Sequence, residues 1–158
     1  MEHGGVVLRT MRKDEFEFWQ ALSKADCTRD LMLSFGCGNE MTEQKYSRVQ
    51  MQLLPLGFNT PDNYFRIIEL QDQAQGYLWF SLIDGAAFLM ALILLPSCQG
   101  RGLGQQAMRL LIDELQILGA CELELRVAPN NLPAIRLYDR CGFRITGLNM
   151  HINLNVDS

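Results

Sequence analysis

The chain has 158 residues, 48% of them hydrophobic and 20% charged, which predicts one globular domain spanning residues 1–158. A formal net charge of −4 at pH 7 argues against a dedicated nucleic-acid binder, because such proteins carry a clustered basic face. The first residues lack the basic start and apolar run of a secretory signal, and no apolar stretch reaches the roughly 18 residues that a membrane span needs. We therefore expect a cytoplasmic protein without a membrane partner.

The cysteine and histidine positions argue against a metal site. The 5 cysteines form an odd set without a CxxC pair, and the 2 histidines, His3 and His151, stand at opposite ends of the chain. These spacings match neither a zinc site nor a disulfide framework. We expect no metal, and we interpret the cysteines as small hydrophobic residues in a reducing compartment.

The N-terminal part is predicted to begin with a strand and to continue as helices. Residues 6–10 are β-branched and aliphatic, and residues 13–22 have apolar positions at helical spacing. Residues 26–40 indicate a second helical piece that ends at glycines. Thr42 fits the N-cap of a further helix that runs through Leu54 and stops at Pro55.

The remaining chain is predicted to supply most of a sheet. Residues 64–70, 76–83 and 87–95 indicate three strands with short connectors, residues 71–75 and 84–85, which is typical of an antiparallel meander. A helix over residues 103–118, a strand over 121–128, a short helix over 133–140 and a closing strand or hairpin over 143–154 follow. This order predicts a mixed α/β sheet covered by helices.

A glycine-rich segment carries the chemistry that the sequence reveals best. Residues 99–104, Gln-Gly-Arg-Gly-Leu-Gly, lie between a buried strand and the start of the long helix. Backbone N–H groups at a helix N-terminus point outward with the positive end of the helix dipole, and glycines remove the β-carbons that would hold a pyrophosphate away. Arg101 can add a charge-assisted hydrogen bond. This glycine loop therefore predicts an anion-binding site.

Other interpretations of the glycine loop remain open. Residues 102–107 also match the dinucleotide fingerprint GxGxxA, with Glu122 or Glu124 about 20 residues further on. Against this, residues 96–101 separate the strand from the first glycine of the fingerprint, and the preceding strands are antiparallel. A Walker loop is excluded because GxxxxGK[ST] does not occur. A glycine-rich helix entry without a ligand is the remaining alternative.

A second motif decides between these interpretations. Residues 131–143 read Asn-Leu-Pro-Ala-Ile-Arg-Leu-Tyr-Asp-Arg-Cys-Gly-Phe. The two segments together resemble the signature motifs of the GNAT acetyltransferase superfamily, [Q/R]xxGxG/A and NxxAxxLYxxxGF, at every fixed position. The resemblance extends over residues 64–154 and is loose before them. It implies a GNAT-type α/β fold: a mixed, mostly antiparallel six- to seven-stranded sheet with a central parallel splay, flanked by helices.

The resemblance implies acetyl-CoA as cosubstrate, lying in a splay between the strands that end near Leu95 and Ala128. The thioester carbonyl would accept a backbone N–H near Leu94, where oxyanion charge develops. Asn131 matches the family's cofactor-contacting asparagine and equally fits a helix cap ahead of Pro133. The other implied cofactor-binding residues are Leu92, Ile93, Leu94, Gln99, Gly100, Arg101, Gly102, Leu103, Gly104 and Gln105.

The implied catalytic residues are an acid and an uncertain base. Tyr138 matches the tyrosine that protonates the departing CoA thiolate, and the alternative is an aromatic side chain packed on the inner face of its helix. The family's usual glutamate base is missing, because aliphatic residues and Arg126 occupy its positions. Glu124 and Glu69 are the candidates, against the alternative of solvated or ion-paired carboxylates. Deprotonation through water also stays open.

The resemblance implies an N-acetyltransferase that passes an acetyl group by direct attack to a primary amine of a small molecule or protein. Residues 13–54 and 57–63 occupy the acceptor side, where Trp79 or Tyr64 would either line the groove or belong to the core. The alternative function is a catalytically silent acyl-CoA-binding module, which the absent carboxylate favours. A homodimer is common in such folds, with the end strands of residues 143–154 pairing across a two-fold axis.

Overall fold

A computed structural model of the chain describes residues 5–35, 39–152 and 154. In chain order its strands and α-helices are strand β1 (Val6–Thr10), helices α1 (Phe16–Phe35) and α2 (Asn39–Leu53), strands β2 (Asn63–Leu70), β3 (Gln73–Ile83) and β4 (Ala86–Leu94), helix α3 (Leu103–Ile117), strand β5 (Glu122–Leu125) and helix α4 (Leu132–Arg140). The strands form a 5-stranded sheet in the order β1-β2-β3-β4-β5, antiparallel except for the parallel pair β4 and β5. This mixed α/β sheet with flanking helices confirms the predicted fold class.

Helices cover the sheet on both faces. α3 buries Leu103, Ala107 and Leu111, which recur every fourth residue and so form one apolar stripe against the sheet. On the opposite face, Phe16 and Trp19 of α1 pack into a second core cluster with aromatic side chains of β2 and β3. None of the described helices combines the length and the apolar character needed to cross a lipid bilayer.

Two-residue turns close the antiparallel meander of β2, β3 and β4. Gln71 and Asp72 have φ angles of 54° and 65°, and Asp84 and Gly85 have φ angles of 50° and 84°. Positive φ at both central residues matches the twist of the flanking strands. The meander is confirmed, although its first connector is shorter than the predicted residues 71–75 because β3 already begins at Gln73.

The N-terminal helices differ from the prediction. α1 runs without a break past residue 26, so the two predicted helical pieces are one helix. Thr28 is accommodated there because its hydroxyl donates to the Lys24 carbonyl, 2.8 Å away, within the helix. α2 begins at Asn39, which places Thr42 inside the helix and buried, and not at the N-cap. The predicted stop at Gly36 and Gly38 lies outside the described residues.

The predicted sheet of six to seven strands is wrong in its strand number. β5 covers 4 residues instead of the predicted 121–128, and residues 143–152 and 154 form no strand. A strand needs a neighbouring strand because its backbone N–H and C=O groups must find hydrogen-bond partners. The pairing of β5 with β4 ends at Leu125, and no described strand lies beside the outer edge of β5. The parallel pair therefore lies at the edge of the described sheet and not at its centre. The dinucleotide fingerprint would require a doubly wound parallel sheet, and this interpretation is also wrong, since only one pair of the described strands is parallel.

Candidate active site

β4 and β5 pair over a short stretch and then separate. Their register runs from Ala86 opposite Glu122 to Leu89 opposite Leu125. β4 continues to Leu94, whereas the chain after β5 leaves the sheet and turns. Beyond Leu89, the edge of β4 that faces away from β3 has no strand partner in the described part of the chain. Within residues 90–94, this gap leaves the backbone N–H groups that face away from β3 available to a ligand.

A β-bulge in β4 begins this gap. Trp79 pairs with Ala91 and Phe80 pairs with Leu89, so Met90 is an extra residue on β4. As a result, the adjacent residues Met90 and Ala91 both pack toward the α1 side of the sheet. A bulge bends its strand and increases the local twist. The bulge therefore turns β4 where its pairing with β5 ends.

A glycine of β3 fixes the far end of β4. A β-carbon on Gly76 would collide with the carbonyl oxygen of Ile93 and lie 3.0 Å from the Cα of Leu94. Beside it, the Leu95 N–H donates to the Gln75 carbonyl at 2.9 Å. Gly76 was not among the predicted site residues, although an isolated glycine within an apolar strand is the signal for a close backbone approach.

The glycine loop has the geometry of an anion site. Gly100 and Gly102 have φ angles of 74° and 78°, and a β-carbon on either would meet no atom within 4 Å. Gly102 is the N-cap of α3, without a side-chain cap, and no acidic residue stands in the first turn. The first N–H groups of α3 have no intrahelical partner, and the positive end of the helix dipole lies beside the exposed residues Gly100 and Gly102. Arg101 is exposed beside them and carries the only charge within residues 99–104.

Other side chains of the loop hold it in place. The Gln99 side-chain amide donates to the Leu94 carbonyl at 3.2 Å, which ties the loop to the end of β4. Leu103 is buried in the α3-side core, and Gln105 is half-buried in the first turn. A β-carbon on Gly104 would lie 3.2 Å from Cδ2 of Leu137 and 3.8 Å from Cδ1 of Leu94. Gly104 thus lets α3, α4 and the end of β4 meet at one point.

The two predicted residues of α4 both have structural roles. Asn131 is the N-cap of the helix, and its Oδ1 accepts a hydrogen bond from the Ala134 N–H at 3.3 Å, which confirms the cap interpretation. Tyr138 is half-buried against the α3-side core, and its ring meets that of Phe143 edge to face with centroids 5.7 Å apart. The packing of Tyr138 is thereby confirmed. Cosubstrate contact by Asn131 and proton donation by Tyr138 stay predictions.

The two candidate bases lie far apart in the sheet. Glu69 on β2 accepts a hydrogen bond from Arg9 Nε at 2.6 Å, so its ion-paired interpretation is confirmed. Glu124 on β5 is exposed, stands opposite Phe88 in the paired part of β4 and β5, and borders a cavity of about 300 Å³. β3 and β4 separate β2 from β5. The two carboxylates therefore belong to different regions of the molecule.

Arg9 also binds a second carboxylate. Its guanidinium donates to both oxygens of Glu15, at 3.1 and 2.9 Å. These hydrogen bonds lower the pKa of Glu15 below its usual value, despite the opposing effect of partial burial. The cluster of Arg9, Glu15 and Glu69 links β1, β2 and the turn before α1.

The two aromatic candidates for the acceptor groove lie on opposite faces of the sheet. Trp79 is buried on the α1 side, and its Nε1 donates to Oδ1 of Asn63 at 2.7 Å. Tyr64 is half-buried on the α3 side, where it stacks on Phe80 with ring centroids 5.0 Å apart. Trp79 is a core residue, and one groove on one face cannot contain both side chains.

Comparison with known proteins identifies the family. Residues 25–143 match the model of the acetyltransferase (GNAT) family. The uncharacterised N-acetyltransferase YdgE of Bacillus subtilis (strain 168) is 26% identical over 153 residues, which cover 94% of this chain and 98% of that protein.

Solved structures share the fold. The crystal structure of the B. subtilis acetyltransferase YycN superposes with a TM-score of 0.87 at 24% identity, over 94% of this chain and 98% of that one. Spermidine N-acetyltransferase of Vibrio cholerae, in complex with CoA and spermine, superposes with a TM-score of 0.65 at 19% identity, over 90% and 82%. The family match covers most of the chain and includes both motifs. The chain therefore belongs to the acetyltransferase (GNAT) family and is an acyltransferase.

Proposed function

We propose that this chain is an acetyl-CoA-dependent N-acetyltransferase that transfers an acetyl group to a primary amine of a small molecule or protein by direct attack. The observation that carries the proposal is the junction at Leu94, where the open edge of β4 ends and the Gln99 side chain ties the glycine loop to it. A CoA thioester has the matching chemistry, with amides along its pantetheine arm and a pyrophosphate beyond them. The V. cholerae enzyme of the same fold was solved with CoA.

Backbone groups would hold the cosubstrate. Within Leu92, Ile93 and Leu94, the backbone groups that face away from β3 would pair with the pantetheine amides, as a strand edge pairs with an added strand. The amides of residues 100–105 would receive the pyrophosphate at the N-terminus of α3. The exposed guanidinium of Arg101 would add a charge-assisted hydrogen bond. An N–H near Leu94 would stabilise the developing oxyanion.

The transfer itself requires one proton to leave the amine and one to reach the sulfur. The amine nitrogen forms a bond to the thioester carbonyl carbon, and the carbon–sulfur bond breaks with its electron pair on sulfur. Tyr138 would donate its phenolic proton to that sulfur, because a phenol is protonated at neutral pH. Glu124 or water would accept the amine proton. Glu69 is less suited to this step because Arg9 binds its carboxylate.

The experiment is an amine screen that compares Tyr138→Phe with the parent protein. Release of free CoA from acetyl-CoA is followed with polyamines, amino sugars and peptide N-termini. We expect Tyr138→Phe to lower kcat by about 10²- to 10⁴-fold without changing acetyl-CoA affinity. Tyr77→Phe is the matched control, because this tyrosine is buried in the α1-side core cluster and should leave kcat unchanged.

The same experiment distinguishes the alternative function. Equal background rates in the parent and in Tyr138→Phe across the whole panel, together with acetyl-CoA binding, would replace the enzymatic proposal with a silent acyl-CoA-binding module. The absence of a glutamate at the family's usual base position is the observation that keeps this alternative in the test.

A further inference from the structure

An ion pair on the α3 side of the sheet joins β2 to α3. Arg66 of β2 donates through Nε to both carboxylate oxygens of Glu114, at 3.2 and 3.1 Å, and through Nη2 to Oε2 of the same carboxylate. The side chains of Arg66 and Glu114 are only 14% and 26% exposed. A guanidinium that binds a carboxylate through two nitrogens adds a defined geometry to the attraction of the charges. The pair therefore constrains where Glu114, and with it α3, lies over β2.

The sheet holds the guanidinium of Arg66 in place. The guanidinium lies over the rings of Tyr64 and Phe80, 5.7 and 5.5 Å from their centroids, which is within the range of a cation–π interaction. Its Nη1 donates to the Phe65 carbonyl at 3.1 Å. β2 itself is paired on both sides, with β1 and with β3. Glu114 therefore binds a group whose position the sheet determines.

α3 also rests on the sheet through an apolar stripe, whose buried members include Leu103, Ala107, Leu111 and Leu115. Apolar burial is favourable but non-directional. Packed helices can accordingly slide by small shear movements without losing that burial. A directional ion pair opposes such sliding, because a shift of the helix along its axis would break the hydrogen bonds of Glu114.

Stability alone is a weak explanation for this ion pair. Removing two charges from water costs free energy, and apolar residues of similar volume are often as stabilising as a buried pair or more so. An apolar pair would not, however, define a single alignment of α3 on the sheet. The alignment of α3 matters for the site because the glycine loop leads directly into its first turn.

We propose that Arg66 and Glu114 are positioning residues for the cosubstrate: they set the axial position of α3, so that its N-terminal amides point at the pyrophosphate. This inference rests on the proposed function. Glu114 follows Leu103 by roughly three turns, or about 16 Å along the helix axis. A helix can transmit a placement over this distance because it is a rigid element.

The test replaces the ion pair by Arg66→Met together with Glu114→Met, an apolar pair of similar length. Two thioesters are titrated: acetyl-CoA, and S-acetylpantetheine, which has the same acetyl group and pantetheine arm but no pyrophosphate. We expect the affinity for acetyl-CoA to fall on the order of tenfold, because a displaced binding group loses much of its contribution. The affinity for S-acetylpantetheine, measured by competition, should be unchanged. Urea unfolding of the free protein should show the stability of the parent.

Two further variants refine the comparison. Arg66→Lys keeps the positive charge but replaces the planar fork by a single ammonium group, so its acetyl-CoA affinity should lie between those of the parent and the double variant. Asp113→Asn is the matched control, because it removes a charge from the exposed neighbour of Glu114 on α3 and should leave both affinities unchanged.

The outcomes separate this inference from the proposed function. Unchanged acetyl-CoA affinity in the double variant would overturn the inference. An equal loss of affinity for both thioesters would also overturn it, because the ion pair would then support the site as a whole and not the pyrophosphate end. A parent protein that binds no acetyl-CoA would contradict the proposed function itself, before any variant is compared.

Discussion

Gly76 of β3 and the carbonyl oxygen of Ile93 on β4 approach so closely that no β-carbon fits between them. This contact lies at the end of β4 whose other side no described strand covers. The glycine therefore sets the position of the backbone that is proposed to bind the pantetheine arm.

We expect Gly76→Ala to destabilise the protein by about 1–3 kcal/mol, because an added methyl group must push two paired strands apart. The displacement should also weaken acetyl-CoA binding. Gly147→Ala is the matched control, because a β-carbon there meets no atom within 4 Å. Urea unfolding and acetyl-CoA titration of both variants measure the two effects. A Gly76→Ala protein with the stability of the control would contradict the close approach.

A charge in the glycine loop should abolish cosubstrate binding. We expect Gly102→Asp to lose acetyl-CoA binding because a carboxylate would stand where the pyrophosphate is proposed to lie. Gly119→Asp is the control, since Gly119 also has a positive φ angle, 87°, and open space around it, but lies past the other end of α3. Calorimetric titration compares the two. Unchanged acetyl-CoA affinity in a folded Gly102→Asp protein would contradict the proposal that the glycine loop binds the pyrophosphate.

Two substitutions of Asn131 separate its cap from its predicted cosubstrate contact. Asn131→Ala removes the acceptor of the Ala134 N–H, so we expect the free energy of unfolding to fall by about 1 kcal/mol. This corresponds to a decrease of roughly 2–4 °C in Tm. Asn130→Ala is the control. Asn131→Asp keeps the cap, so weaker acetyl-CoA binding in this variant at unchanged Tm would support the contact. Equal Tm values for Asn131→Ala and Asn130→Ala would contradict the cap.

The ion pairs of Arg9 predict a pH dependence of stability. Because Arg9 lowers the pKa of Glu15 in the folded protein, Glu15 stabilises the fold above the ordinary glutamate pKa of about 4.3. This stabilisation is lost as the pH falls through the lower, folded-state pKa. We expect Glu15→Gln to lower the free energy of unfolding by about 1 kcal/mol at pH 7. Below about pH 4 the difference from the parent should become progressively smaller.

Asp14→Asn is the control for this experiment, because Asp14 is 77% exposed and its substitution should change stability little. The free energy of unfolding is measured in urea at several pH values. A difference between the parent and Glu15→Gln that stayed constant down to the acid limit would contradict the ion-pair account.

The strands and helices that depend on residues close together in the sequence were predicted correctly. The meander, α3 and α4 follow from apolar spacing, glycine positions and turn residues within a few positions of each other. Gly100 and Gly102 both have positive φ angles, whereas their predicted role of leaving space for a pyrophosphate stays a prediction. Gly104 is the exception, because its packing against Leu137 depends on a helix that lies later in the chain.

Features that depend on distant parts of the chain were not predictable. Arg9 and Glu69 are 60 residues apart, so no local pattern indicates that β1 and β2 place them together. The short β5 likewise depends on where β4 bends, and the bulge at Met90 follows from the register with β3. The end strand predicted over residues 143–154 was wrong for a similar reason. The apolar alternation at Leu148 and Ile152 is typical of a strand, but it does not reveal whether a neighbouring strand is in place to pair with it.

The gap beside β4 and the glycine loop are proposed to bind acetyl-CoA together. Calorimetric titration of the purified protein with acetyl-CoA, with NADH and ATP as controls, is the direct test. We predict saturable binding of acetyl-CoA at one site per chain and no heat from NADH or ATP. No binding heat with acetyl-CoA and saturable binding of NADH would contradict this proposal, because the glycine loop would then bind a dinucleotide.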